Sequence, residues 1–221
     1  MESIWEECQK ISNKGNGYRK FINELGWREF SHSLINYFPE MLKGNLRKDF
    51  DHFPWQTNAK HLTAWKKGMT GYPIVDAGMR ELYTTGWMHN RVRMVTASFL
   101  VKHLRIHWQE GERHFRDCLL DFNEANNIAG WQWVAGCGAD AAPYFRIFNP
   151  ILQGEKFDPT GNYVKRWIPE LLNISKEFIH KPWELEKQVK DFEIGKSYPN
   201  PIVDHKEARN AALKAFKSLK K

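Results

Sequence analysis

The sequence predicts an all-α fold, and three features of its pattern support that prediction. Apolar residues recur at spacings of three to five positions, as they do on one face of a helix. Proline or glycine bounds several of these periodic stretches, where helices begin and end. No stretch alternates apolar and polar residues for long enough to form a half-buried strand. With 221 residues, we expect a single helical domain over residues 1–221.

The first predicted helix is long and covers residues 18–37. Pro39 follows it and prevents its continuation. Its apolar positions are Phe21, Leu25, Phe30, Leu34 and Tyr37. The next stretch, residues 43–58, is polar and interrupted by glycine and proline, so we expect mostly loop with short turns.

Two shorter helices are expected after this loop. The first covers residues 59–67 and stops at Gly68. The second covers residues 73–83, with Pro73 in its first turn and Gly86 after its end.

The strongest periodicity runs over residues 87–108, and a further helix is predicted from about Glu112. The first stripe comprises Met88, Val92, Val95 and Phe99, and the second Phe115, Cys118, Leu119 and Phe122. Residues 135–162, rich in glycine and proline, are predicted to form a long ordered loop with a turn at Asp158–Gly161. Short helices follow, and Asp204 is the expected N-cap of a final basic helix.

Composition excludes several classes of protein. A content of 42% hydrophobic and 27% charged residues is that of a globular chain rather than a disordered one. The longest apolar-leaning run, Met94–Val101, is too short to span a membrane, which takes about 20 residues. The acidic N-terminus does not read as a targeting segment. Three cysteines without a C-x-x-C pair favour a reducing, cytoplasmic location.

Two features of the composition suggest a partner. The formal charge of +7 makes nucleic acid a reasonable ligand, although a merely basic protein is an equal alternative. Ten tryptophans exceed ordinary usage, and large aromatic residues either fill a core or offer stacking surfaces.

Common catalytic and metal-binding motifs are missing, which leaves three sets of polar residues among tryptophans. The sequence has no G-x-S-x-G, no P-loop, no H-E-x-x-H and no His/Cys cluster with zinc spacing. Each set alone would be a surface ion-pair ladder or helix caps, but together they favour a shared polar cavity in an aromatic-rich bundle. The sets are Glu24, Trp27, Arg28 and Ser31; Asn90, Arg91, Arg93 and Met94; and Asp121, Asn123 and Asn127 ahead of Trp131–Trp133.

Six segments, spread in order over nearly the whole chain, resemble the photolyase/cryptochrome flavoproteins. They are Asn23–Phe30, Gly71–Arg80, Gly86–Met94, Asn127–Trp133, Asp140–Pro150 and Pro201–Arg209. The resemblance implies an all-helical FAD-binding domain. It also implies a carbon–carbon lyase that uses blue light and reduced, U-shaped FAD to split pyrimidine dimers in DNA. The dimer would be flipped out of the helix, which is easiest for a damaged pair.

By matching motifs, the resemblance assigns roles around the cofactor. Asp121 and Arg93 would form a buried ion pair beside the flavin ring, and Asn127 would face its reactive nitrogen. The remaining pocket residues would be Arg28, Trp87 and Asn123, the last at a position where many members carry Asp. An electron-transfer chain would run from the flavin to the surface through Trp131, Trp108 and Trp55. The other reading of each tryptophan is core packing, which we keep for Trp65, Trp167 and Trp183.

The resemblance likewise implies a lesion pocket. Glu24, catalytic together with Asn127, would bond the base edges of the dimer, and Trp27 and Trp133 would pack against its faces. The wall and the DNA contacts would be Asn90, Met94, Arg91 and Gln153. From these sets we predict that Glu24, Trp27, Met94 and Trp133 line one cavity.

The branch and the extent of the resemblance give further expectations. Asn90 and Met94, at positions that differ in the (6-4) enzymes, are similar to class I cyclobutane-dimer photolyases, and Asn127 favours repair over signalling. The resemblance starts after the family's antenna domain and FAD-phosphate segment. We therefore expect a fragment that holds no antenna pigment, is monomeric and binds FAD partly or not at all. Two alternatives stay open: a cryptochrome-like photoreceptor or partner-binding module without repair, and a helical DNA-binding domain without flavin.

Overall fold

The computed structural model describes residues 2–11, 15–140, 145–185, 190 and 192–219. Within these ranges the chain forms ten α-helices and no extended strand, and an isolated bridge joins Ile194 and Tyr198. The predicted all-α class is therefore confirmed. The helices are α1 (Glu2–Gln9), α2 (Asn16–Tyr37), α3 (Ala59–Lys66), α4 (Pro73–Thr85), α5 (Asn90–Ser98), α6 (Trp108–Cys118), α7 (Glu124–Ala135), α8 (Pro150–Phe157), α9 (Asn162–Trp167) and α10 (His205–Ser218).

Local signals set the boundaries of several helices as predicted. Pro73 is the first residue of α4, and Gly86 ends it in the left-handed conformation with φ of 68°, where its N–H bonds the oxygen of Leu82. The Asp204 carboxylate accepts from the N–H of Glu207 at 2.8 Å and caps α10. The predicted loop at 43–58 contains only a short 3-10 turn, and a second such turn, Pro39–Leu42, lies just before it.

The stripe over residues 87–108 is not one helix. Helix α5 ends at Ser98, a π-helical segment covers Phe99–His103, and α6 begins at Trp108, earlier than the predicted Glu112. The N–H of Leu104 bonds the oxygen of Phe99, five residues back, which marks the wider turn. Apolar residues continue through this segment, so their spacing alone did not reveal the break.

A second prediction, the long loop at 135–162, is wrong over part of its length. Helix α8 lies inside it: Pro150 occupies the first position, and the Asn149 side chain accepts the N–H groups of Ile151 and Leu152. The turn at 158–161 is present, with the N–H of Gly161 bonded to the oxygen of Asp158. Residues 141–144 of the predicted loop lie outside the described residues.

Helix α7 holds the central position for the site. It packs against α2 on one side and against α5 and α6 on others, while α4 packs against α5, α8 and α9. The main core cluster includes Trp65, Trp108 and Trp131, each almost fully buried. A second cluster around Val164 and Tyr198 lies under α9. Among the described residues, no helix is both long and apolar enough to span a bilayer.

The π segment places two ionisable side chains in the interior. The Lys102 ammonium donates to the oxygen of Ala135 at 2.9 Å, and burial lowers its pKa well below the usual value. His103 contacts His205 of α10 at 2.8 Å, between Nε2 and Nδ1. Burial, with a smaller contribution from His205, lowers the pKa of His103 to about 3. The last helix is thus joined to the core by a pair of neutral histidines.

Candidate functional site

Helices α6 and α7 place a buried carboxylate opposite an amide. Glu112 in α6 is 4% exposed and accepts from the Arg116 guanidinium at 2.9 and 3.2 Å. Nδ2 of Asn127 in α7 donates to the same carboxylate oxygen and to the backbone oxygen of Glu112, both at 3.1 Å. A buried carboxylate requires such donors in place of water. Glu112 therefore fixes the position of Asn127.

The chemistry of these partners also decides which end of the Asn127 amide faces where. Both groups at Nδ2 are acceptors, so this end must be the nitrogen and not the oxygen. The amide oxygen is then directed away from Glu112. It offers a fixed acceptor, which suits a ligand that presents an N–H group.

Arg93 and Asp121 form the predicted ion pair. One guanidinium nitrogen of Arg93 donates to both carboxylate oxygens, at 2.8 and 3.0 Å, and Nε donates to the oxygen of Met88 at 2.6 Å. The Asp121 side chain is 50% exposed and that of Arg93 is 25% exposed, and burial of the pair beside a flavin ring stays a prediction. Asp121 lies in the connection between α6 and α7.

Asn123 caps a helix, as the alternative reading of these polar residues allowed. It is the N-cap of α7, where its side-chain oxygen accepts the N–H of Asn126 at 3.0 Å. Its amide nitrogen lies 3.2 Å from Nε2 of His32 and so links α2 to the start of α7. Both ends of the Asn123 amide are engaged, and its assignment to the cofactor pocket stays a prediction.

Trp131 is enclosed on several sides. Its ring lies directly on the backbone of α6 at Gly111, where a Cβ atom would be 2.5 Å from Cζ3 and 2.6 Å from Cζ2. Phe115 and Trp65 contact its ring edge-to-face, with centroids at 5.0 and 6.1 Å. Trp65, which donates its N–H to the oxygen of Thr96, fills the core as predicted.

Trp108 and Trp55 are joined to each other through a histidine ring. Trp108 begins α6, one turn before Gly111, and is 1% exposed. The His107 ring lies between Trp108 and Trp55, with its centroid 5.6 Å from that of Trp108 and 4.9 Å from that of Trp55. Burial lowers the pKa of His107, which favours its neutral form. Trp55 is half-buried. The electron-transfer chain from Trp131 through Trp108 to Trp55 stays a prediction.

The predicted site residues of α2, which are Glu24 and Trp27 of the lesion pocket and Arg28 of the cofactor pocket, lie on its outer surface. Glu24 and Arg28 are exposed, and Trp27 is 53% exposed, in edge-to-face contact with Phe30. Ser31 is buried and donates to the backbone oxygen of Trp27 at 2.9 Å. The shared helical face is therefore partly open to solvent.

The other predicted contacts lie on neighbouring helices. Asn90 is exposed at the start of α5 and Met94 is half-buried one turn later. The Arg91 guanidinium lies over the Phe157 ring of α8 at 4.7 Å, which joins α5 to the helix that carries Gln153. The side-chain oxygen of Gln153 is buried without a hydrogen-bond partner in the described part of the chain.

Trp133 and Trp87 complete the predicted set. The N–H of Trp133 donates to the oxygen of Asp140 at 2.9 Å, and its ring is half-buried. Trp87 precedes α5 and is 47% exposed, held by bonds between its backbone and the Thr85 hydroxyl. Because α7 contacts both α2 and α5, the three motif sets converge on one helix. The cavity expected from Glu24, Trp27, Met94 and Trp133 stays a prediction.

Sequence reasoning missed three residues that support the site: Glu112, Gln132 and Asn45. Glu112 shares a helix face with Phe115 and Leu119 at i, i+3 and i+7, and a carboxylate within an apolar stripe could have indicated burial. The amide nitrogen of Gln132 donates to the oxygens of Met41 and Gly44, and its oxygen accepts from the N–H of Leu46. Asn45 accepts from the indole N–H of Trp108 at 2.8 Å. No sequence signal identified this contact or those of Gln132, since they join distant segments.

Comparisons with known proteins identify the family. The model of the FAD-binding domain of DNA photolyase matches residues 21–218. The chain belongs to this family.

Photolyase relatives match the chain closely over part of their length. A deoxyribodipyrimidine photo-lyase from Agrobacterium fabrum is 52% identical over 99% of this chain and 47% of its own sequence. The crystal structure of a bacterial class III photolyase from Agrobacterium tumefaciens gives a TM-score of 0.91 at 52% identity, covering 98% of this chain and 46% of that one. The crystal structure of a cryptochrome from Synechocystis sp. PCC6803 gives a TM-score of 0.88 at 36% identity, and the match covers 96% of this chain and 45% of that one. The chain thus spans about half the length of these relatives, and its likeness to class I stays a prediction.

Proposed function

We propose that this chain is the FAD-binding and catalytic part of a photolyase that repairs cyclobutane pyrimidine dimers in DNA under light. The observation that carries the proposal is the position of α7, which holds the fixed amide of Asn127 and the Trp131 ring against α6 and packs against α2 with its exposed aromatic residues. Under the proposal, Trp131 would begin the predicted row of tryptophans Trp131, Trp108 and Trp55.

The residues present fit a flavin ring by their chemistry. Asn127 offers an acceptor oxygen to an N–H group, and the ion pair of Arg93 and Asp121 offers donors and acceptors to the polar edge of a planar heterocycle. When bound, FAD would absorb blue light and supply the electron for ring opening. Occupancy, and the absence of an antenna pigment, stay predictions that absorbance between about 350 and 500 nm would test.

The protein's own part in repair is binding, orientation and exclusion of water. Glu24 would hydrogen-bond the flipped bases, while Trp27 and Trp133 would cover their faces, because aromatic rings stack on bases of any sequence. Arg91, with the net charge of +7, would attract the phosphates.

Light-dependent repair by the flavin-loaded chain tests the proposal. An oligonucleotide with one thymine dimer is incubated in blue light or darkness, and the remaining dimer is measured. We expect repair in light only, a large loss of rate in Glu24→Gln, and little change in Glu29→Gln, which alters an exposed carboxylate elsewhere on α2. Equal dimer loss in light and darkness would contradict the proposal. Flavin photoreduction without repair would instead favour the photoreceptor alternative.

Binding to DNA is measured separately from repair. The affinity for dimer-containing DNA should fall steeply with salt, and Arg91→Ala should reduce the salt slope by about one. An affinity independent of salt, or equal for damaged and undamaged DNA, would contradict the proposed lesion pocket. DNA binding without flavin uptake would favour a helical DNA-binding domain.

A further inference from the structure

The middle tryptophan of the row is held by a hydrogen-bonded chain of side chains. The indole N–H of Trp108 donates to Oδ1 of Asn45 at 2.8 Å. Asn45 is 2% exposed, and its Nδ2 donates to a carboxylate oxygen of Asp51 at 2.7 Å. The indole can only donate and the carboxylate can only accept, so the orientation of the Asn45 amide is fixed.

The segment that carries Asn45 is anchored independently of Trp108. Gln132 of α7, fully buried, bonds the backbone of Met41, Gly44 and Leu46. Trp108 is likewise fixed at the start of α6 by packing. Neither the Asn45 segment nor Trp108 depends on the indole hydrogen bond for its position. This bond can therefore act on the electronic properties of the ring.

The position of Trp108 makes those properties important. Trp108 begins α6 one turn before Gly111, on which the Trp131 ring lies, and its ring neighbours His107, which in turn contacts Trp55. In the proposed chain it is the middle member. Under the proposed function, on which this inference rests, Trp131 would give one electron in light to bound FAD and so bring it to the reduced state that repair needs. Trp108 would then return an electron to Trp131, and Trp55 would return one to Trp108.

We propose that Asn45 and Asp51 are positioning residues that keep the oxidised Trp108 ring protonated while it carries positive charge. Loss of one electron makes the indole N–H much more acidic. The amide oxygen of Asn45 accepts a hydrogen bond but is too weak a base to remove the proton. Asp51 places its negative charge one amide away, where it stabilises the cation without touching the N–H.

The step balances without any proton leaving the ring. One electron passes from Trp108 to Trp131 and one from Trp55 to Trp108, while the indole proton stays on Nε1. If the proton left Trp108, the resulting neutral radical would be a poorer oxidant for Trp55, and the transfer would stop there. Because Asp51 is exposed, water screens its charge, and we expect its effect to be smaller than that of Asn45.

Pulse radiolysis of the chain without flavin tests this inference apart from the proposed function. Azide radicals oxidise tryptophan, and transient absorption separates protonated from neutral tryptophan radicals. The variant Trp108→Phe identifies the signal that depends on Trp108. In Asn45→Leu we expect the protonated signal at Trp108 to fall by about tenfold or more, the effect of losing one hydrogen bond to a charged group.

Matched variants separate the charge from the fold. Asp51→Asn removes the exposed charge with little risk to folding and should reduce the signal less, while Asp51→Glu should restore it. Asp49→Asn is the control, because its carboxylate pairs with Arg47 at 2.9 Å. The indole N–H resonance of Trp108 should shift in Asp51→Asn and not in Asp49→Asn.

Each outcome decides a part of the inference. If Asn45→Leu lowers the signal and Asp51→Asn does not, the role of the carboxylate is refuted. If the Asp51 variant changes neither the resonance nor the radical, and Asn45→Leu leaves the radical unchanged or does not fold, the whole inference is overturned. A wild-type chain that gives these radical signals but shows no light-driven reaction with FAD would refute the proposed function alone.

Discussion

Replacement of Gly111 by alanine tests the closest contact in the tryptophan row. A Cβ atom at this position would lie 2.5 and 2.6 Å from two ring carbons of Trp131 and closer still to a third. The ring cannot easily retreat, because Phe115 and Trp65 contact it from other sides. Gly130 in α7 is the matched control, since a Cβ there would meet nothing within 4 Å.

The magnitude follows from two opposed effects. Alanine in place of glycine inside a helix adds about 1 kcal/mol to stability, and both positions should gain it. Overpacking of a filled interior costs about 1–3 kcal/mol, and only Gly111→Ala should suffer it. We therefore expect Gly130→Ala to stabilise by about 1 kcal/mol. Gly111→Ala should be less stable than Gly130→Ala by about 1–3 kcal/mol.

Denaturation in urea, followed by far-UV circular dichroism, measures both free energies of unfolding. Near-UV circular dichroism reports on the packing of the indole rings and should change in Gly111→Ala only. Equal stabilisation by the two alanines, with unchanged near-UV spectra, would refute the close seating of Trp131 on α6. Such a result would also remove the structural basis for its place next to Trp108.

Three further predictions concern groups that support the fold and the site. In the native state the pKa of His103 is about 3, whereas in the unfolded chain a histidine takes up a proton below about pH 6.5. The free energy of unfolding should therefore fall by about 2 kcal/mol between pH 8 and pH 5, and His103→Phe should remove this fall. Urea titrations at both pH values check this, and an unchanged pH difference would contradict it. Glu112→Gln should lower the free energy of unfolding by about 1–3 kcal/mol, since a buried amide cannot accept from Arg116 and Asn127 as a carboxylate does. An exposed carboxylate, as in Glu29→Gln, is its control and should change little. Gln132→Leu should speed amide hydrogen exchange at Leu46 by at least about fivefold, because one lost bond of this kind costs about 1–3 kcal/mol. Unaltered exchange there would show that Gln132 does not hold this segment.

The fold class and many helix ends were predictable because their causes are local. Pro73, Gly86 and Asp204 act through their own backbone or side chain within one turn, and each works in the structure as expected. The π segment at Phe99–His103 was missed because the whole segment is buried, so its apolar residues continue the pattern of the helix before it although the turn holds an extra residue. Helix α8 was missed because its Pro150 was read as part of a loop, although proline at the first helical position begins many helices.

The site was predictable in its members but not in its environment. Motif matching paired Arg93 with Asp121, and the structure confirms the bond. The exposure of this pair depends on which other elements cover it, and sequence spacing holds no information on that. The contacts of Asn45 with Trp108 join residues 63 positions apart, beyond any helical period.

Three consecutive residues of α7 face three different parts of the molecule. Successive side chains on a helix are about 100° apart. Accordingly, Trp131 lies on α6, Gln132 bonds the 41–46 segment and Trp133 reaches Asp140. The bonds of Gln132 resist rotation of this turn about the helix axis, so helix geometry sets the directions in which Trp131 and Trp133 leave the helix. Under the proposed roles, a lesion that contacts Trp133 would act on this turn. A displacement of the turn would therefore also move Trp131 relative to Trp108.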